Sequence, residues 1–127
     1  MARSIPGGRA IARTLIGLFL ASLARAAMAA TPETVVVTFR PKAGNEVKME
    51  EVIRKEWAAL VRLNAVVSDN DLLFKGKDTA GNVVFVHIMT WRDESIPDSA
   101  PPEITSLWDE MHVLGTVSFV VVKPLAH

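Results

Sequence analysis

Val83-Val84-Phe85-Val86-His87-Ile88-Met89-Thr90-Trp91 is the stretch on which the fold turns. Its β-branched and aromatic residues read as a strand, and from Val83 to Met89 it is apolar on both faces apart from His87. The residues before it, Asp78-Thr79-Ala80-Gly81-Asn82, are turn chemistry, with Gly81 and Asn82 able to take positive φ. Leu72-Leu73-Phe74-Lys75-Gly76-Lys77 precedes the turn as a shorter strand, so the two strands are expected to form a hairpin.

On either side of this hairpin the apolar period changes. Upstream, Met49, Val52, Ile53, Trp57, Leu60 and Val61 recur every three or four residues, which predicts an amphipathic helix from about Asn45 to Asn64. Glu50 with Arg54, and Glu51 with Lys55, are acid-before-base pairs suited to its solvated face. Asp69-Asn70-Asp71 breaks the pattern. Downstream, Ile104, Leu107, Trp108 and Met111 predict a second helix, entered through the acidic loop from Asp93 to Pro102. Asp98 or Ser99 can cap it, Pro101 and Pro102 suit its first turn, and Gly115 is a natural stop. The outermost segments, Thr34-Val35-Val36-Val37-Thr38-Phe39 and Ser118-Phe119-Val120-Val121-Val122, read as strands ended by Pro41 and Pro124.

The order strand, helix, strand, strand, helix, strand predicts an α+β fold of the ferredoxin-like βαββαβ kind: a four-stranded antiparallel sheet with both helices on one face. A sheet with one face in water normally alternates apolar and polar residues. These strands do not, since Val35-Val36-Val37, Val83 to Met89 and Phe119 to Val122 put apolar groups on both faces. The second face needs a cover, and a homodimer packed sheet to sheet supplies it.

The first residues belong to a different kind of segment. Arg3, Arg9 and Arg13 open the chain with no acidic residue before Glu33, and an uncharged apolar run follows from Thr14 to Ala24. That run is shorter than the roughly 20 residues needed to span a bilayer core. Ala27-Met28-Ala29 has the small-x-small pattern of a signal-peptidase site, so residues 1–29 read as a signal peptide and 30–127 as the mature domain, periplasmic or secreted. The other reading of residues 1–29 is a retained anchor. The chain has no cysteine, so no disulfide staples the domain and no lipid-attachment cysteine is present. Cleavage removes four arginines and no acid, leaving ten basic against fourteen acidic side chains. A net acidic domain gains nothing from long-range attraction to nucleic acid or anionic lipid, so neither is an expected partner. The RNA-recognition modules share this element order, but Asn82 to Ile88 lacks the basic residue, glycine and first stacking aromatic of their motif.

From the first strand with Val35 to Phe39, the helix carrying Trp57, the third strand ending in Trp91 and the helix carrying Leu107-Trp108 and Met111, residues 33–123 resemble the dimeric α/β-barrel superfamily. The likeness is strongest to its antibiotic-biosynthesis-monooxygenase-like members. The resemblance implies a sheet-to-sheet homodimer, with a pocket in each subunit between sheet and helices. It also implies cofactor-independent oxidation of a small aromatic or apolar substrate; the alternative is a non-catalytic domain that binds a small ligand or serves as a homodimeric interaction module. Haem-degrading members carry an asparagine on the first strand, a tryptophan on the third and a haem-ligating histidine on the second helix. Trp91 and His112 fall in comparable elements here, but the first strand has Thr38 and Phe39 and no asparagine, so no cofactor is expected.

Strand alternation places Phe85, His87, Met89 and Trp91 on one face. If that face meets the helices, His87 lies near Trp57 and Trp108, where a neutral imidazole can take a proton from an activated C–H or O–H group. The alternative is a core or interface histidine. His112 follows Trp108 by four residues and Asp109 by three, so Asp109 can orient the imidazole as in a base and carboxylate pair, or the two form a solvated helix-edge contact. The candidate catalytic residues are therefore His87, His112 and Asp109, and the candidate pocket residues Trp57, Phe85, Met89, Trp91, Trp108 and Met111. His87, His112 and His127 are too widely spaced for a recognisable metal motif, so no metal is expected. N-terminal sequencing of the exported protein should begin at Ala30, and light scattering of the same material should give twice the chain mass. A chain starting at Ala2, or a monomer at micromolar concentration, would overturn the respective expectation.

Overall fold

The computed structural model describes residues 30–126. Residues 1–29, with the expected signal peptide, and His127 lie outside the described residues. Strand β1 (Glu33–Pro41) leads to helix α1 (Glu46–Arg62), strands β2 (Leu72–Lys77) and β3 (Val83–Trp91), a 3-10 turn (Ile96–Ser99), helix α2 (Pro102–Leu114) and strand β4 (Gly115–Val122). The sheet order is β2-β3-β1-β4 and every neighbouring pair is antiparallel. This is the ferredoxin-like arrangement the element order implied. Among the described residues no helix is long and apolar enough to cross a membrane.

Each connection has a local cause. In the hairpin, Asp78 accepts the backbone N–H groups of Ala80 and Asn82, both at 2.9 Å, while Gly81 alone takes positive φ, at 86°. Helix α1 has no side-chain N-cap, because the Asn45 amide instead donates to the Leu114 carbonyl at 3.2 Å and so joins the start of α1 to the end of α2. On its outer face Arg54 pairs with Glu50 at 3.0 Å as expected, whereas Glu51 pairs with Lys48 at 3.7 Å in place of Lys55. Helix α2 begins later than a cap at Asp98 or Ser99 would put it. Those two residues belong to the 3-10 turn, and the helix starts at Pro102, where a missing N–H costs no hydrogen bond.

The helix-facing side of the sheet carries Val35, Val37 and Phe39 from β1, Phe85, His87, Met89 and Trp91 from β3, and Val117, Phe119 and Val121 from β4, as the register requires. Two apolar clusters fill the layer. One joins Val35, Leu60, Met89, Trp91 and Ile104, and the other Phe39, Met49, Ile53, Phe85 and Met111. Trp108 and Val37 pack against both clusters. The opposite side exposes Leu72, Phe74 and Val120 around Val36, Val86 and Ile88, bordered by a Thr34–Thr90 hydroxyl pair at 2.8 Å.

Gly115 joins α2 to β4 without a break. Its φ is 176°, extended and open to any residue, so the requirement for glycine is one of space. A Cβ there would lie 2.2 Å from the Arg40 carbonyl oxygen and 2.7 Å from the Pro41 Cα. Both obstacles are backbone of the neighbouring strand, so relief requires β4 to part from β1. Gly115→Ala should therefore destabilise the domain by about 1–3 kcal/mol or more, read as a lower denaturant midpoint. An unchanged midpoint would show that the junction adjusts freely.

Candidate active site

His87 sits mid-strand in β3, where alternation turns its ring toward the helices. It is 1 % exposed. Trp57 of α1 closes over it edge-on, with ring centroids 4.8 Å apart. Its Nε2 lies 2.9 Å from Oδ2 of Asp71, the residue just before β2. Leu73 is His87's register partner, so Asp71 projects from the same side of the sheet, one pleat along. An ionised carboxylate can only accept, so Nε2 carries the hydrogen of this bond, and in the neutral ring the lone pair is on Nδ1. Nδ1 is buried and has no hydrogen-bond partner among the described residues.

Beside it, Glu56 of α1 is 6 % exposed. Its Oε2 accepts the indole N–H of Trp108 from α2. Burial pushes this carboxyl up from 4.5 to about 7, a rise that the Trp108 hydrogen bond only partly opposes. Trp108 also meets Trp91 edge to face, with centroids 6.4 Å apart. These residues border an open cavity of about 550 Å³. Val35, Val37, Phe39, Val117, Phe119 and Val121 form its sheet floor, and Met111 and His112 of α2 and Glu94, Pro97 and Asp98 of the β3–α2 connection complete the wall. Phe119 lies on the helix-facing side yet is 67 % exposed, because the edge strand β4 reaches beyond the helices.

The expected site residues separate into groups. His87, His112, Met89, Trp91, Trp108 and Met111 all border the cavity. Trp57 does not line it but packs on His87 behind the wall, and Phe85 is buried in the core instead. Asp109 does not orient His112. The Nδ1 of His112 lies 2.8 Å from the Trp108 carbonyl of its own helix, and Asp109 is exposed and away from the cavity. Two further residues, Asp71 and Glu56, belong to the site. Glu56 had a legible signal: it falls within the apolar stripe of Met49, Val52, Ile53 and Leu60, where a carboxyl has no structural reason to be. Asp71 had none, because its role follows from the β2–β3 register. Among the described residues no group of three or more His, Asp or Glu side chains could hold a metal.

The raised Glu56 value makes stability depend on pH. The folded state holds this proton more tightly than the unfolded chain, so the group's contribution is most favourable below pH 4.5 and is lost as pH rises toward 7, by roughly 3 kcal/mol in all. The thermal midpoint of the native domain should fall relative to that of Glu56→Gln by about 5 °C or more between pH 5 and pH 8. Parallel curves would show that Glu56 titrates normally.

No family model and no curated protein sequence matches the chain. Solved structures do. SnoaB, a cofactor-independent oxygenase from Streptomyces nogalater, is 21% identical with a TM-score of 0.61, over 77% of this chain and 97% of that one. Rv0793 from Mycobacterium tuberculosis is 16% identical with a TM-score of 0.58, over 76% and 98%. An antibiotic biosynthesis monooxygenase is 14% identical with a TM-score of 0.58, over 74% and 99%. At these identities the likeness is one of architecture, and residues 33–122 have the ferredoxin-like fold of antibiotic-biosynthesis-monooxygenase-like proteins.

Proposed function

We propose that the domain is a cofactor-independent oxygenase of a small, electron-rich hydroxyaromatic molecule, with His87 as the base. The observation that carries this reading is the Asp71–His87 pair, with His87 on the wall of a cavity floored by apolar side chains. Asp71 holds the Nε2 hydrogen, and the Nδ1 atom, which no group among the described residues satisfies, is left as the acceptor. A buried polar atom without a partner costs stability, so its retention favours a functional role. The volume of about 550 Å³ is in the usual range for small-molecule sites. The shared architecture with a cofactor-independent oxygenase supports the same reading.

In this mechanism Nδ1 takes a proton from a phenol or from a methylene held between aromatic rings, and Asp71 stabilises the imidazolium that forms. The resulting anion is rich enough in electrons to reduce dioxygen, the co-reactant. For a methylene the balance is R₂CH₂ + O₂ → R₂C=O + H₂O. One oxygen atom becomes the carbonyl, the other leaves as water with both hydrogens, and His87 returns its proton to the reduced oxygen. Trp91 and Trp108 shield the reacting carbon from solvent, and Glu56, titrating near 7, exchanges a proton readily at neutral pH.

The same reading takes residues 1–29 as an export signal, which puts the activity in the periplasm or outside the cell. It also takes the outer sheet face as a homodimer interface. The exposed Leu72, Phe74 and Val120 on that face support the second point. Oxygen uptake with 1,8-dihydroxyanthrone tests the chemistry. His87→Ala should lower kcat/KM by about 10²–10⁴, and Asp71→Asn by less. If His87→Ala matches the native rate, the histidine is packing. Binding of the anthrone without uptake above a heat-denatured control would leave a small-ligand carrier in place of an enzyme.

A further inference from the structure

The cavity wall is unbalanced in charge. Glu56 is buried in it and Glu33, Glu94 and Asp98 border it, while no Lys or Arg among the described residues does. None of these four carboxyls forms an ion pair with a described Lys or Arg. The cations that are paired serve elsewhere: Arg62 meets Glu103, Arg40 meets Asp78, and Lys48, Arg54 and Lys75 hold the outer acids of α1 and α2.

A second, independent observation concerns hydrogen bonds. His87 Nδ1 is buried without a partner, and with the hydrogen held at Nε2 it is an acceptor. One oxygen of Glu56 accepts from Trp108, and the other has no partner among the described residues. The free Glu56 oxygen therefore offers the cavity an acceptor, and an occupant must bring a donor. Trp91, Trp108 and Phe119 add aromatic surface on the same wall. A cation is favoured on the face of such rings and beside unpaired carboxyls. A carboxylate ligand brings more acceptors and a charge with no counter-ion, so its desolvation goes uncompensated.

We propose that the cavity selects a small aromatic molecule bearing one protonated amine, whose N–H donors meet Glu56 and leave His87 to the reacting group, and rejects carboxylates of the same shape. This rests on the reading of the cavity as a ligand site and specifies the class of ligand. The bound cation holds Glu56 in its ionised form, and the aromatic body lies along Trp91, Trp108 and Phe119.

Titration calorimetry at pH 7.5 with three matched probes tests it: 2-(1-naphthyl)ethylamine, 2-(1-naphthyl)ethanol and 1-naphthylacetate. The amine should bind about tenfold or more tighter than the alcohol, and the carboxylate weakest of the three. Glu56→Gln should bring amine and alcohol within about threefold of each other, and retained alcohol binding would show the cavity intact. Glu94 and Asp98 are exposed, so the double variant Glu94→Gln/Asp98→Asn puts no core contact at risk. It should weaken the amine and flatten its salt dependence. Carboxylate binding equal to or tighter than amine binding overturns the proposal, as does an amine preference unchanged in both variants, or no binding of any probe. Binding is read here without turnover. If oxygen uptake fails while the amine ranking holds, only the oxygenase reading falls; if uptake holds while the ranking fails, only the amine preference does.

Discussion

The bond between the Trp108 indole and the buried carboxyl of Glu56 is the interaction around which the helix layer is organised. A carboxyl with so little access to water requires a donor, and the one it has comes from the other helix. Meeting that need turns the edge of Trp108 toward α1. In this position the ring also meets Trp91 and packs against both apolar clusters. The two helices are thereby joined over β3 and β1, and β4 is left to extend beyond them. The cavity is the space this leaves, floored by β1 and β4 and walled by α2.

His87 stands in the same relation to the sheet. Its position in β3 follows from the two-residue period of the strand, and its ring is fixed from two sides, by Trp57 above and Asp71 beside it. Neither neighbour is near it in sequence. An imidazole held this firmly loses little further freedom on meeting a ligand, so its orientation is set before any ligand arrives. His112, on the exposed side of α2, bonds only a carbonyl of its own helix and has no such support.

Charge follows a comparable division of labour. The domain without its first 29 residues is acidic, yet five of its ten basic residues are paired at the outer surface, and the acids of the cavity wall have no described Lys or Arg partner. An excess of carboxyls spread over a surface is screened by solvent and salt. Placed around a partly enclosed space, the same excess is screened less and sets the local potential.

The element order, the hairpin at Gly81 and the residues that share a face of each strand were legible in the sequence, because strand and helix periods and turn chemistry are local properties. So was the grouping of His87 with Phe85, Met89 and Trp91 on one face of β3, which alternation gives; that this face meets the helices was not, because both faces of the strand are apolar. Gly115 was legible as a boundary, but its cause was not, for the clash it avoids is with Arg40 and Pro41 on a strand far away in the chain. Asp71 and the Glu56–Trp108 bond escaped for the same reason, although a glutamate in the apolar stripe of α1 was itself a visible anomaly. Asp109 looked like a partner of His112 from spacing, yet the ring found a carbonyl of its own helix instead. By itself, then, the sequence determined which segments form strands and helices and which residues of each strand share a face. Only the tertiary structure decided which carboxyl meets which ring, because those pairings depend on strand register and helix packing between residues that are distant in the chain.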